Sequence, residues 1–245
     1  MPSFPSGSIR LLTLDATNTV IGIPKSVGGA YADFARRFGV HCDADALTTA
    51  FMKNFKLLSV QKPCYGFGKD GSFAWWSEII RNCFEDVNVT TKFENFDDFS
   101  KQLFNHFCTT EPWQLIDAEA SEHLTRIRSK GVHIGVISNF DSRLRSVLEQ
   151  FKLVGLIDLL LLSGEIGIEK PDPRIFQLAA NRFQLDSTAQ MVHIGDNVKK
   201  DYDGARAAGA NALLFVGSMS TSDAPRGGVQ SEDIIHSLAD LTKFI

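Results

Sequence analysis

Five short runs of the chain are almost unbroken in apolar residues: IRLLTLD (9–15), VHIGVIS (132–138), IDLLLLS (157–163), MVHIGD (191–196) and ALLFVG (212–217). Continuous rather than alternating hydrophobicity marks strands covered on both faces, and such strands belong to parallel sheets. Between the later runs, apolar residues take helical spacing. Leu144, Val147, Leu148 and Phe151 follow i, i+3, i+4, i+7, and so do Phe176, Ala179, Ala180 and Phe183. Strand and helix therefore alternate from about residue 116 onward, which predicts right-handed crossovers and a doubly wound parallel α/β sheet with helices on both sides.

Residues 20–115 break this rhythm. They hold no clear strand and read as several helices: Tyr31, Phe34, Ala35 and Phe38 form an apolar stripe closed by Gly39, while FAWWSEIIRNCF and FDDFSKQLFNHF suggest two more. A crossover needs only a dozen or so residues including its helix. The segment 20–115 therefore predicts a helical cap inserted after the first strand, with 1–19 and 116–245 forming the core domain. Trp75, Trp76, Phe104 and Phe107 are expected to build the interior of that insertion rather than a ligand box. GFGKDG (66–71) has the glycine spacing of a dinucleotide fingerprint, but it follows QKPCY within the helical segment instead of a strand, and is read as a loop. GSMSTSDAPRGG (217–228) is read as a flexible surface loop.

Composition narrows the function classes. A chain of 245 residues buries a large core without disulfides, and a net charge of −4 gives no general attraction for nucleic acid or anionic membranes. Cys42, Cys64, Cys83 and Cys108 form no C-x-x-C pair, so reduced thiols are expected. MPSFPSGSIRLLTLD lacks the charged and long apolar regions of a secretion signal. LVGLIDLLLL is interrupted by Asp158 and is too short to span a bilayer. A cytoplasmic protein is expected, with a nuclear pool left open, and the NVT at Asn88 is read as incidental.

Ligands of a doubly wound sheet bind beyond the carboxyl ends of its strands. Asp15 ends the first run, Ser138 and Asn139 end the second, Lys170 precedes the turn PDP after the third, and Asp196 follows HIG. A carboxylate at the end of a buried strand is costly unless a metal, a cation or backbone donors receive it. Each residue has a plain alternative: Asp141 or Asp196 capping a helix, Ser138 bonding in a turn, Lys170 solvated. Their joint collection at strand ends favours a site. The chemistry consistent with the set is phosphoryl transfer. Asp15 and Asp196 suit Mg²⁺, while the cation and Lys170 offset the charge of a phosphate beside an attacking carboxylate. Ser138 and Asn139 offer hydroxyl and backbone donors to the remaining phosphate oxygens, and His193 is read as strand packing.

LDATNT, VISNFD, EKPDPRIF and GDNVKKDYDGARAAGA, in that order, resemble the four motifs of the haloacid dehalogenase superfamily. The resemblance covers the whole chain, since that superfamily often inserts a helical cap after the first strand. It implies that Asp15 is the nucleophile of an aspartyl-phosphate and that Thr17 gives a backbone carbonyl to Mg²⁺. It further implies that Ser138 binds phosphate and that Lys170 links phosphate and nucleophile. Asp196 matches a direct metal ligand, and Asp201 acts through metal-bound water or by orienting Lys170. Thr19 matches the threonine that braces the nucleophile loop and is counted with the phosphate-binding residues.

One position departs from the pattern. Phosphatases of the superfamily usually carry a second aspartate two residues after the nucleophile, which protonates the leaving oxygen and then deprotonates water. Here that position is Thr17, followed by Asn18 where glycine is usual. A threonine hydroxyl exchanges no proton usefully near neutral pH. P-type ATPases of the same superfamily also have threonine there and hold a comparatively durable aspartyl-phosphate. Two expectations follow: a slow Mg²⁺-dependent phosphatase or phosphotransferase acting on a small phosphorylated molecule, or a pseudophosphatase that binds a phosphorylated ligand or a protein partner. Dehalogenation is a weaker alternative because GDNVKKD keeps metal-binding carboxylates, and no cap lysine stands out for phosphonate cleavage.

Overall fold

The computed structural model describes residues 9–217 and 228–244. Residues 218–227 of the stretch read as a surface loop lie outside them, as do residues 1–8. In chain order the elements are β1 (Leu11–Leu14), β2 (Ile21–Gly22), α1 (Val27–Arg36), α2 (Ala44–Gln61), α3 (Pro63–Gly66), α4 (Gly71–Asp86), α5 (Phe96–His106) and β3 (Gln114–Leu115). They continue with α6 (Ala120–Ser129), β4 (His133–Ser138), α7 (Arg143–Gln150), β5 (Leu159–Leu162), α8 (Ser163–Ile166) and α9 (Pro173–Arg182). The last are β6 (Met191–Gly195), α10 (Gly204–Ala207), β7 (Asn211–Phe215) and β8 (Ile234–Ile235).

Six strands pair in the order β5-β4-β1-β6-β7-β8, all parallel, with β1 inside. Successive residues of each strand point to opposite faces. Leu12, Leu14, Ile134, Val136, Val192 and Ile194 join one buried cluster, whereas Leu11, Ile137, Met191, Ala212 and Leu214 pack with Ile175, Phe176 and Ala179 of α9 on the other. The sheet is thus covered on both sides, as the continuous apolar runs predict. The buried rings of the helical segment, Trp75, Phe84 and Phe99 among them, belong to the first cluster. They extend the packing of one sheet face.

The strands β2, β3 and β8 and the helix α2 were not expected. β2 and β3 pair antiparallel through Ile21 with Leu115 and Gly22 with Gln114, so a two-stranded ribbon closes the base of the helical segment that reads as strandless. α2, the longest helix at 18 residues, escapes the periodicity because Met52, Leu57 and Val60 expose apolar side chains between its buried ones. β8 adds a short edge strand beside β7.

Local chemistry sets the helix starts. The side chains of Ser26, Asp43 and Asn95 accept backbone N–H bonds at the first turns of α1, α2 and α5, and Asp172 does so for α9, where Pro173 takes the first position. All four cysteines are free thiols. Among the described residues no helix is long and apolar enough to cross a membrane.

Candidate active site

Asp15, Ser138 and Asp196 stand at or just past the carboxyl ends of β1, β4 and β6, three adjacent strands, which brings them to one edge of the sheet. Lys170 arrives on the loop between α8 and α9, and Asp201 on the π-helical turn Val198–Asp203 that follows β6. Lys170 is buried, and its Nζ donates to Asp15 Oδ1 and to Asp201 Oδ1 at 2.6 Å each. Burial opposes the charge on Lys170, but Asp15 and Asp201 outweigh it and hold its pKa above the ordinary lysine value. Burial also raises the pKa of Asp15, against the pull of Lys170. Asp201 is likewise penalised by burial, yet Lys170 and His193 together hold it below the usual carboxylate range.

Asp201 is fixed from three sides. Its Oδ1 faces His193 Nε2 at 3.2 Å in addition to Lys170, and its Oδ2 accepts the Asn197 N–H at 3.0 Å. His193 is held in turn by Thr13 Oγ1, 2.9 Å from its Nδ1, across the register of β1 with β6. The histidine read as packing therefore also positions Asp201. Gly195 makes the arrangement possible, because a Cβ there would collide with the Asp201 carboxyl group.

Asp196 lies open to the cavity, and its Oδ2 accepts from Asn18 Nδ2 at 3.2 Å. Asn18 has φ 61°, a left-handed conformation that asparagine tolerates better than most residues, which accounts for asparagine where glycine is usual. The surrounding protein, then Asp15 and Asp201, push the pKa of Asp196 up to about 6. Ligand atoms of Asp15, Asp196 and Asp201 all lie within 4.8 Å of one another. Three carboxylates outnumber the Lys170 ammonium and that of Lys200, which also lines the cavity, and leave an excess of negative charge. A divalent cation with oxygen ligands relieves such an excess, so this donor set fits Mg²⁺ better than it fits no metal at all.

The other expected residues divide. Thr17 and Ser138 line the same cavity as Asp15, Lys170, Asp196 and Asp201. Asn139 also lines it, and beside the backbone donor expected of it the side chain has a task of its own: Oδ1 accepts the Lys170 N–H at 2.8 Å and Nδ2 donates to the Lys170 carbonyl at 2.9 Å. It clamps the lysine loop. Thr19 does not reach the cavity lining. The turn in which Val20 and Ile21 donate to the Ala16 carbonyl carries it into the interior, where its Oγ1 has no hydrogen-bond partner.

The cavity, about 320 Å³, extends from this polar floor into the helical segment. Trp76 and Phe107 line it, which corrects their assignment to the interior alone, whereas Trp75 and Phe104 stay off its wall. Trp75 and Trp76 share α4, Phe104 lies on α5 and Phe107 just past its end, and only the packing of these segments decides which ring meets the cavity. The wall also contains Arg143, buried, with its guanidinium 4.2 Å from the Trp76 ring centre and paired with Asp141 through Nε and Nη2. Asp141 accepts from Trp76 Nε1 at 2.6 Å and from the Arg143 N–H at the start of α7. Its cap-like role was legible, and its partnership with the tryptophan was not. GFGKDG forms the turn between α3 and α4, preceded by helix rather than strand, as its context in the sequence implies. Phe67 at its tip packs on Gly167 beyond α8, where a Cβ would collide with the ring.

Residues 9–209 match the family described as haloacid dehalogenase-like hydrolase. Haloacid dehalogenase-like hydrolase domain-containing protein 3 of Bos taurus is 35% identical over 95% of this chain and 92% of its own length. The rhythmically expressed gene 2 protein of Drosophila melanogaster is 31% identical over 84% of this chain and 82% of its own. Among solved structures, a defluorinating L-2-haloacid dehalogenase superposes with a TM-score of 0.75 at 20% identity, covering 100% of this chain and 99% of that one. A predicted phosphoglycolate phosphatase from Haemophilus somnus gives 0.63 at 15% identity, covering 96% and 97%.

Proposed function

The chain belongs to the haloacid dehalogenase-like hydrolases, and from that premise we propose that it is a slow, Mg²⁺-dependent phosphomonoester hydrolase or phosphotransferase that works through an aspartyl-phosphate on Asp15. The observation that carries this reading is the Lys170 ammonium, 2.6 Å from Asp15 and from Asp201 at the floor of a cavity, with the third carboxylate, Asp196, beside them. A metal-free dehalogenase has no use for that surplus of negative charge, although dehalogenases share the fold.

Asp15 and Asp196, with the Thr17 carbonyl, would hold the cation, and Asp201 stands close behind them. Bound there, Mg²⁺ supplies the positive charge that lets an anionic nucleophile meet an anionic phosphate. Lys170 favours the charged form of Asp15 against burial and orients it, and Ser138 offers its hydroxyl to a phosphate oxygen. Asn139 fixes the lysine loop, while His193 and Asn197 fix Asp201. The helical segment 20–115 acts as a cap that excludes water and selects the organic part of the substrate.

Thr17 on the cavity wall favours a second reading, a pseudophosphatase that binds a phosphorylated ligand or a protein partner without turnover. General acid and base catalysis contributes about 10²–10⁴-fold, and Thr17 supplies none of it. The two readings separate in one set of assays: Mg²⁺-dependent phosphate release from an activated aryl phosphate by wild type, Asp15→Asn and Thr17→Asp. The hydrolase reading expects activity in wild type that vanishes in Asp15→Asn, together with a phosphoryl adduct on Asp15 in acid-quenched protein. Wild type no more active than Asp15→Asn would leave the binding reading.

A further inference from the structure

Above its polar floor the cavity is walled by rings: Tyr31, Phe51, Phe55, Trp76, Phe107 and Trp113 all line it. The polar atoms of this compartment are largely spent within the protein. Arg143 is neutralised by Asp141, the Trp76 N–H is taken by the same carboxylate, and the Tyr65 hydroxyl donates to the Asn139 carbonyl at 2.6 Å. The Tyr31 hydroxyl, by contrast, forms no hydrogen bond with another described residue, although Tyr31 is 98% buried by its 2% exposure. A sugar or polyol placed here would strip water from several hydroxyls and find few partners for them. A flat ring with one polar substituent suits both the walls and the free phenol. The volume, about 320 Å³, lies at the lower end of the roughly 300–1,000 Å³ of small-molecule pockets, which leaves room for one substituted ring beside a phosphate.

The residue at the floor imposes an independent demand. Thr17 cannot protonate the departing oxygen, so that oxygen has to leave as an anion. A phenol ionises near pH ~10, whereas a simple alcohol resembles water and is a far weaker acid. An aryl oxygen therefore departs without the missing acid, and an alkyl oxygen does not. The geometry points to phosphate monoesters of single-ring phenols as the substrate class, with the ring seated among Phe51, Phe55, Trp76 and Trp113 and the phosphate on Asp15, Lys170 and Ser138. This assignment rests on the hydrolase reading above. A carboxylate oxygen of Asp15 attacks phosphorus, the bond from phosphorus to the aryl oxygen breaks, and its electron pair leaves on the phenolate, which takes a proton from solvent. Water then attacks phosphorus, the acyl phosphate bond breaks back onto Asp15, and the water proton leaves with phosphate or passes to solvent.

The test compares phenyl phosphate with cyclohexyl phosphate and a glycerol phosphate, and measures binding of phenylphosphonate and methylphosphonate to the Mg²⁺-loaded full chain by calorimetry and tryptophan fluorescence. The expected result is kcat/KM for phenyl phosphate at least about 10²-fold above the two alkyl esters, the lower bound of what a general acid supplies. Thr17→Asp should shrink that ratio by raising the alkyl esters more than the aryl one. Phenylphosphonate should bind about tenfold or more tightly than methylphosphonate, with fluorescence quenching, and Phe55→Leu and Trp76→Leu should each erase most of that preference. Phe55 is only half-buried, so its variant reports on the wall even if the tryptophan variant fails to fold. Alkyl esters turned over as well as the aryl ester, or two phosphonates bound equally, would overturn the assignment. Absence of turnover on every ester with ring-selective phosphonate binding would overturn the hydrolase reading while upholding the aryl preference of the cavity.

Discussion

The hydroxyl of Tyr65, on the short helix α3 of the inserted segment, donates to the main-chain carbonyl of Asn139 at 2.6 Å. Asn139 is also the residue whose side chain clamps both backbone groups of Lys170. A side chain of the insertion is thus tied, through Asn139, to the loop that carries Lys170 at the floor of the cavity.

Tyr65→Phe removes that tie while keeping the ring against Trp75 and Trp76. The expected loss of stability is about 0.5–1.5 kcal/mol, the net value of one hydrogen bond. Amide exchange around α3 should quicken, and KM should rise more than kcat falls. Unchanged exchange would mean that the bond does not hold the segment in place.

Gly195→Ala places a methyl group where the Asp201 carboxyl group lies. Asp201 then has to withdraw from Lys170, so activity should fall to near that of Asp201→Ala, with a stability loss of about 1–3 kcal/mol from overpacking. A fully active Gly195→Ala protein would show that Asp201 is not needed beside the lysine.

Lys170→Met leaves Asp15 and Asp201 buried without their cation. Breaking a buried pair in this way costs about 3–5 kcal/mol, which a melting curve at neutral pH reads directly. Lys170→Met combined with Asp15→Asn and Asp201→Asn should recover much of that loss and none of the activity.

Mg²⁺ should stabilise the folded protein by about 2.7 kcal/mol at a hundred times its Kd, and EDTA should reverse the shift. Asp196→Asn should abolish that response without lowering the stability of the metal-free protein, because it removes one of the crowded charges. An equal Mg²⁺ shift in the variant would take Asp196 out of the ligand set.

Away from the site, Asp158 joins β5 to β4. It accepts the Ile134 N–H at 2.9 Å and an Arg128 bond at 2.7 Å. Burial by itself would raise its pKa, but Arg128, the Ile134 N–H and His133 outweigh that and hold it below the ordinary value of 3.8. A carboxylate depressed in this way stabilises the fold above its unfolded pKa, and the contribution is lost as pH falls through the folded value. Asp158→Asn should therefore cost about 1–2 kcal/mol at pH ~7 in denaturant unfolding, and the difference from wild type should close below pH ~4. A gap that stays constant across that range would contradict the ionic origin.

The central strands were legible because Leu12, Leu14, Ile134, Val136, Val192 and Ile194 lie in runs that only Thr13 and His193 interrupt, which is the local record of burial on both faces. β2 and β3 left no such record. Each contributes two residues to a ribbon that joins Ile21 to Leu115, and pairing between distant short segments has no periodicity to read. Asp15, Ser138, Lys170, Asp196 and Asp201 were identifiable from where strands end and from the motifs around them. Thr19 shares that neighbourhood, yet its side chain turns into the interior, and the clamp that the Asn139 side chain makes on the lysine loop left no local signal. Asn18, His193 and Arg143 act through contacts with residues 178, 8 and 2 positions away, and only the first and second concern the charged floor.

By itself the sequence determined a parallel sheet, the carboxylates and lysine that gather at its strand ends, and a threonine at position 17. These are properties of hydrophobic runs and residue identity, which persist whatever the chain's path. Only the tertiary structure decided that Trp76 and Phe107 face a cavity while Trp75 and Phe104 do not, and that Arg143 is spent on Asp141. The reason is geometric: neighbouring rings on one apolar stripe are alike in sequence, and only the packing of the surrounding elements decides which of them meets the cavity.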